Sequence, residues 1–528
     1  MCGIFALFGP RINANVYSYF KKGEKRGPEG SVLEVINHNY LGFHRLAING
    51  VDYGSGQPMH YKEYILICNG EIFNFKSLIE KYSLKVTTNS DCEVILHLYD
   101  LLKEKCVQEL DGEFSFIIYD KEEDSIFVAR DPFGVRPLYV NHVNKNICFC
   151  SDIEPMKCLP LINVKQFPPG NYAKYKTISG IYKEVYITPY FTCHKPFYFK
   201  ENASVGQLTV YETLMEAIIK RVAISDRPVA CLLSGGLDSS IVSAVSARYY
   251  KETTGKPIET FSIGLEDSED LKYSKKVADH IGSNHTQIIC TEEDFLTSIP
   301  DVIVDIESYD TTTVRASVGN WNIGKYIKNN SLAKVILNGD GADELMGGYL
   351  YFHKCPDSTE FDKECVRLLN HIQYFDVLRS DKCISSHGLE ARTPYLDRKF
   401  VEAYLSLVES DRCHSINEKQ EKYMIRDIIK KYDPDLLPDE ILFRKKEAFS
   451  DGVSGLKKSW YEIIQENVKY DESNETLYLH NSPKTVEQKC YRSEFEYHYK
   501  DCGHLIPYFW MPRYIKATDA SARTLSIY

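Results

Sequence analysis

Two acidic glycine turns and one cysteine are the residues of this chain whose types and spacing point to chemistry. The first turn, Ser234-Gly-Gly-Leu-Asp-Ser-Ser240, lies between the apolar run PVACLL and the helix-like run SSIVSAVSARYY. Its glycines, its hydroxyls and the backbone N–H groups of a helix start suit a phosphate. It lacks the lysine of a G-x-x-x-x-G-K-[ST] loop. It carries Asp238 instead, and a carboxylate beside phosphate needs a bridging cation, for which magnesium is the natural choice. The second turn, Asn338-Gly-Asp-Gly-Ala-Asp-Glu344, also follows an apolar run and offers Asp340, Asp343 and Glu344. Two such turns on one sheet edge favour a metal–phosphate site over two capped helices. The cysteine is Cys2. With Met1 removed it would carry a thiol and a free α-amine, whose ordinary pKa values are about 8.5 and about 7.7–8.0. Such an amine can act as base for its own thiol.

The elements that must position these groups follow two grammars. Up to about residue 190 the chain reads as short strands: GIFALFG, YLGFHRLAI, YILICNGEIFN, FSFIIYD and SIFVARD. Residues 90–104 have helical spacing, with Ser90 or Asp91 as a start signal. A domain over 2–190, a linker over 191–206 and a second domain over 207–528 are expected. In the second domain PVACLL, ETFSIGL, HTQIIC and AKVIL alternate with helical runs, which predicts a parallel sheet covered by helices on both faces. Ligands of such sheets collect outside the carboxyl ends of the strands, where 234–240, 264–270 and 338–344 fall. From about 400 onward the chain reads as largely helical.

Composition narrows the class. The 528 residues allow two or three domains with large cores. A formal net charge of -11 argues against nucleic-acid binding, which needs a basic face. No apolar run approaches membrane-spanning length and no signal peptide is read at the start, so a cytoplasmic protein is expected. The 16 cysteines form no C-x-x-C pair, which leaves buried thiols as the plain reading. Small-molecule substrates, and at most a second copy of the chain in a homodimer, are the partners expected.

SGGLDSS resembles the pyrophosphate loop of the N-type ATP pyrophosphatases. The ordered set RGPEG, FHRLAI, CNGEIFN, SDCE, LDGEFSF and ARDPFGVRPLY, with Cys2, resembles the class II glutamine amidotransferase domain across 2–190. That resemblance implies an αββα sandwich of the Ntn-hydrolase kind in which Cys2 attacks the glutamine amide. Asn69 and Gly70 would form the oxyanion hole. Arg45 would meet the substrate carboxylate, Glu71 and Asp91 its ammonium, and Leu46, Ala47, Ile48 and Asn49 would complete the glutamine site.

SYDTTTVRAS, GGYLYFHKCP, HGLEARTPYLD, RKKEAFSDGV and YFWMPRYIKATDASARTL resemble the glutamine-hydrolysing asparagine synthetases nearly to the end of the chain. The resemblance implies ATP and magnesium as cofactors. Leu233 and Ile263 would line the adenosine pocket, with Asn338 and Gly339 meeting the nucleotide. Ser234, Gly235, Gly236, Asp238 and Ser239 would hold pyrophosphate, with magnesium between Asp238 and Asp343. Lys446 would neutralise phosphate charge, and Thr312 and Arg315 would bind aspartate. Ammonia would cross an interdomain tunnel to a β-aspartyl adenylate.

Two departures stand out. Glu29 replaces the family's usual aspartate, outside the thiol and oxyanion groups. Asp340 replaces a glutamate implicated in forming or resolving the adenylate, and loses about 1.5 Å of reach. Two other readings stay open at this point: a glutaminase or regulatory protein with an impaired synthetase half, and an amide or lactam synthetase for another carboxylate.

Overall fold

The computed structural model describes residues 1–193, 203–416, 418–446, 453–454, 458–470 and 477–521. Of the expected linker, 194–202 lie outside the described residues. Residues 203–206 already belong to a helix, Ala203–Ala223. Most of AFSDGV also lies outside them.

The N-terminal strands are β1 (Gly3–Phe8), β2 (Gly30–Ile36), β3 (Asn39–Arg45), β4 (Met59–Tyr61), β5 (Tyr64–Ile72) and β6 (Gly112–Asp120). They continue with β7 (Ser125–Arg130), β8 (Tyr139–Val143), β9 (Asn146–Cys150), β10 (Val164–Gln166), β11 (Asn171–Ile178) and β12 (Ile181–Pro189). They pair into two sheets, ordered β10-β8-β9-β1-β3-β2 and β12-β11-β7-β6-β5-β4. Every pairing within them is antiparallel.

The period-2 pleat explains why both sheets are covered on both faces. Ile4, Ala6 and Phe8 of β1 meet Ile65 and Ile67 of β5 in the core between the sheets. Phe5 and Leu7 point the other way, onto Val16 and Phe20. Leu66 and Cys68 likewise pack outward on Val94, Ile95 and Leu98 of the helix Glu93–Leu102. That helix begins one residue later than a cap at Asp91 would place it, and two later than a cap at Ser90. Cys92 is its N-cap residue and no side chain caps it.

The second half is a five-stranded parallel sheet, β13 (Val229–Leu232), β14 (Glu259–Leu265), β15 (Asn284–Cys290), β16 (Val335–Leu337) and β17 (Glu390–Arg392), ordered β15-β14-β13-β16-β17. Val229, Cys231, Val335 and Leu337 pack on Ile241, Val242 and Val245 of the helix Leu237–Thr254. Ala230, Phe261, Ile263 and Ile336 face Val314 and Val318 of the helix Thr311–Asn330 on the other side. The sheet is doubly wound, and its order reverses between β13 and β16. That reversal opens a crevice at their carboxyl ends, where both glycine turns begin.

The halves meet through buried charge. Asp381 accepts from Arg26 at 2.8 Å and lies 3.4 Å from Arg136. Arg221 donates to Glu113 at 2.9 Å, and Lys382 donates to Asp152 at 2.8 Å. The ammonium of Met1 is itself buried at the junction and donates to the Leu389 carbonyl at 2.7 Å.

Candidate active sites

The two glycine turns line one cavity. Leu233, Ser234, Gly236, Asp238, Ser239, Ile263, Thr312, Asn338, Gly339, Asp340, Asp343 and Lys446 all stand in its wall. Gly235 lies behind them with φ +76°, a left-handed conformation that turns the chain from strand to helix. A Cβ on Gly339 would lie 3.0 Å from the Asp238 Cβ and the Ser239 nitrogen, so the two turns touch. Gly236 precedes the helix Leu237–Thr254 with no side-chain cap, which leaves its first N–H groups facing the cavity edge for an anion.

Asp238 and Asp343 share one cation, the ammonium of Lys422, which bonds to both carboxylates. Lys446 donates to the other Asp343 oxygen at 2.6 Å. Burial works against charge on Asp343, yet Lys422 and Lys446 hold its carboxyl well below the usual range. Asp238 Oδ1 is buried without a hydrogen-bond partner. Two carboxylates that already bracket one cation fit magnesium, which takes one or two protein carboxylates and completes its shell with phosphate oxygens. Among the described residues no cluster of three or more His, Cys, Asp or Glu would hold a metal by itself.

The other site lies at the start of β1. The Cys2 thiol donates to the Leu46 carbonyl and accepts from the Leu46 N–H, both at 3.4 Å. Burial pushes this thiol up to about 12, and burial also lowers the Met1 ammonium to about 5. Asn69 is fully buried, and neither atom of its amide has a partner. By the pleat of β5, Asn69 shares the face of Ile65 and Ile67, the interior on which Cys2 also packs. An orphaned buried amide is costly unless a ligand completes it.

Around it, Asn49 donates to Glu71, and Arg392 of β17 lies 3.4 Å from the same carboxylate oxygen. Burial, with Asp91 and Glu390 nearby, pushes the Glu71 carboxyl well above its ordinary value. Asp91 accepts from the Ile72 N–H at 2.7 Å. Its carboxyl is raised to about 6, first by burial. Arg45 donates to the carbonyls of Gly50 and Asp52 at 2.6 and 2.7 Å. Ile48 is buried against the second half of the chain.

Comparison with known proteins agrees with this geometry. The family model for asparagine synthase matches residues 209–360 and 354–489, and that for a glutamine amidotransferase domain matches 1–184. Glutamine-hydrolysing asparagine synthetases of Cricetulus griseus, Homo sapiens and Gallus gallus are 39%, 38% and 40% identical. Each alignment covers 100% of this chain and 99% of the relative. The chain belongs to the asparagine synthetase family.

The resemblance would set Arg315 on aspartate, and the structure places it behind the cavity wall. Its guanidinium is bonded to Glu487 at 2.9 Å and to Asp519 at 2.7 Å, and it is not among the cavity-lining residues. Its helix neighbour Thr312 does line the cavity and keeps a buried hydroxyl without a partner.

Three residues in this asparagine synthetase cavity escaped the sequence reading. Lys422 stands in the run NEKQEKY, which has the look of a solvated face, and Arg379 and Asp376 lie in a helix with no motif around them. Glu29, outside the thiol and oxyanion groups, has a carboxylate that accepts from the Ala47 N–H at 2.8 Å and pairs with Arg227 of the other half at 3.1 Å. All 16 cysteines stand as thiols, and among the described residues no helix is long and apolar enough to cross a membrane.

Proposed function

We propose that the chain is a carbon–nitrogen ligase that makes L-asparagine from L-aspartate, taking nitrogen from glutamine and energy from cleavage of ATP to AMP and pyrophosphate. The observation that carries this reading is the meeting of two acidic glycine turns in one cavity, with Gly339 against Asp238. Retention of Asp238, Asp343, Lys422 and Lys446 in one ion network weighs against a decayed synthetase half.

At the amidotransferase site, Met1 is removed and the Cys2 α-amine takes the thiol proton. The thiolate adds to the amide carbon of glutamine. Asn69 Nδ2 and the Gly70 N–H receive the oxyanion, and the lack of any other partner for Asn69 supports that role. Losing one such donor costs about 10²–10³-fold in rate. Ammonia leaves, and water then cleaves the thioester to glutamate and restores the thiol. Arg45 takes the substrate α-carboxylate, and Glu71 and Asp91 take the ammonium. Leu46, Ala47, Ile48 and Asn49 form the rest of the cradle.

At the synthetase site, the β-carboxylate of aspartate displaces pyrophosphate from ATP and becomes β-aspartyl-AMP. Leu233, Ile263, Asn338 and Gly339 hold the nucleoside. The turn of Ser234, Gly235, Gly236, Asp238 and Ser239, with Lys446, holds the pyrophosphate. Magnesium held by Asp238 and Asp343 would neutralise phosphate charge. Thr312 contacts aspartate. Ammonia arriving through the interior attacks the acyl carbon, AMP departs, and Asp340 accepts the proton that the nitrogen sheds.

The test measures asparagine and pyrophosphate with ATP, magnesium and aspartate, supplying glutamine or ammonium. Wild type should use both nitrogen sources and Cys2→Ala only ammonium. Glutamate release without asparagine from either source would sink the proposal in favour of a glutaminase. Cytoplasmic residence and a homodimer belong to the same proposal, and sedimentation of the purified chain reads the second.

A further inference from the structure

The C-terminal segment 508–521 forms part of the synthetase cavity: Trp510, Pro512 and Ala520 stand in its wall. Two of that segment's attachments run to one helix, while Tyr508, Arg513 and Tyr514 bond to the helix Ser358–His371. The Trp510 N–H donates to Asp310 Oδ1 at 2.7 Å. Asp310 also caps the helix Thr311–Asn330 by accepting from the Thr313 N–H at 2.9 Å. The second attachment is Arg315, in the first turns of the same helix. It donates to Asp519 Oδ1 at 2.7 Å and Oδ2 at 2.9 Å, the fork-on-fork geometry that guanidinium and carboxylate favour. Its remaining reach goes to Glu487, and the Tyr461 ring lies 4.9 Å from the guanidinium carbon.

Arg315 is 4% exposed, so its four bonds to two carboxylates are made out of water. Thr312, Thr313 and Ala316 on the same helix line the cavity while Arg315 points away from it. The helix therefore presents a small polar face to the substrate and uses its one arginine behind that face.

We infer that Arg315 and Asp519 are positioning residues that hold the C-terminal segment as the aspartate-side wall of the synthetase cavity. This rests on reading the cavity as an asparagine synthetase site, with Thr312 at its aspartate end. Trp510 and Pro512 supply the apolar part of that wall, which keeps water from the activated acyl group. Removing Asp519 leaves Arg315 with Glu487 as its remaining carboxylate and takes away the tie that holds the far end of the segment, beside Ala520, against the cavity. A direct contact of Arg315 with substrate would act with the opposite sign: Asp519 would then compete with aspartate, and its removal would tighten binding.

The experiment uses the full chain carrying Asp519→Ala, Asp519→Asn or Asp519→Glu. In the ammonium-dependent reaction the KM for aspartate should rise about tenfold in the alanine and asparagine variants, which corresponds to about 1.4 kcal/mol of lost binding. The turnover number at saturating aspartate, the KM for ATP and the glutaminase rate should stay at wild-type values, and glutamate should restore part of the loss. Acrylamide quenching of Trp510 fluorescence, obtained by difference against Trp510→Phe, should increase in the alanine variant. An unchanged or lower KM for aspartate overturns the inference, as does unchanged quenching. If wild type made no asparagine, the reading of the cavity would fall, and quenching would still decide whether Asp519 holds the segment.

Discussion

Arg379 holds Asp340 in place: its Nη2 lies 2.7 Å from Asp340 Oδ1. The same nitrogen reaches Asp376 at 3.0 Å, so the arginine ties the shortened acid to a second carboxylate beside it. Asp340 Oδ2 is buried with no partner, which leaves one oxygen to accept a proton. Burial, first among its influences, raises the Asp340 carboxyl, and Arg379 opposes that shift.

Asp340→Ala should therefore slow asparagine formation from either nitrogen source by about 10²-fold or more, the scale of a lost acid–base group. Glutaminase turnover should be retained, which excludes misfolding. Steady-state assays of asparagine and glutamate on one preparation separate the two. Asparagine formation at the wild-type rate would remove Asp340 from the chemistry.

Retention of Met1 should silence one site only. With Met1 in place the nitrogen of Cys2 is a peptide N–H, and burial holds the thiol near 12. A preparation that mass spectrometry shows to carry Met1 should release no glutamate from glutamine between pH 7 and 9, while ammonium still supports asparagine formation. Cleaving Met1 should restore the glutamine-dependent reaction. Glutaminase activity in the uncleaved chain would mean that the free amine is not the base.

Glutamine binding should weaken in mild acid. The Asp91 carboxyl titrates near 6 because it is buried, so it is charged above that pH and neutral below it. A neutral Asp91 loses its charge attraction to an α-ammonium and keeps only a carbonyl acceptor. The KM for glutamine should rise as pH falls through 6, by up to about tenfold per unit, the limit for one coupled proton. Asp91→Asn should show a high KM at every pH and no step near 6. The same step in the asparagine variant would assign the titration to another group.

The parts of the fold carried by local apolar pattern were readable. Glu259–Leu265 is a strand over the same residues as the run ETFSIGL, because Phe261, Ile263 and Leu265 pack into a continuous core. The three residues of β17 were not readable. They are Glu-Ala-Arg, with no apolar run, and the strand exists through pairing with β16 and buried ion pairs. Asp91 has two readings for a related reason: a carboxylate just before a helix is an ordinary start signal, yet Cys92 is the N-cap residue and only the fold brings the Ile72 N–H to Asp91. Glu29 bears on Ala47 through 18 residues of chain and a β-turn of the sheet, so no short motif contains both. Lys422 reaches two aspartates from 184 and 79 positions away, a distance in sequence at which spacing carries no signal.

The charge-lined junction bears on how this chain can change. Arg26, Arg136, Arg221 and Lys382 each find their counter-charge on the other half, away from water. Stranding one member of such a pair costs about 3–5 kcal/mol, a large share of a domain's stability of about 5–15 kcal/mol. An amidotransferase half borrowed from a distant relative would bring its own pattern of signs to that seam. The two halves are thus tied as a lineage: they can drift together, residue against residue, but neither is a cassette to be exchanged.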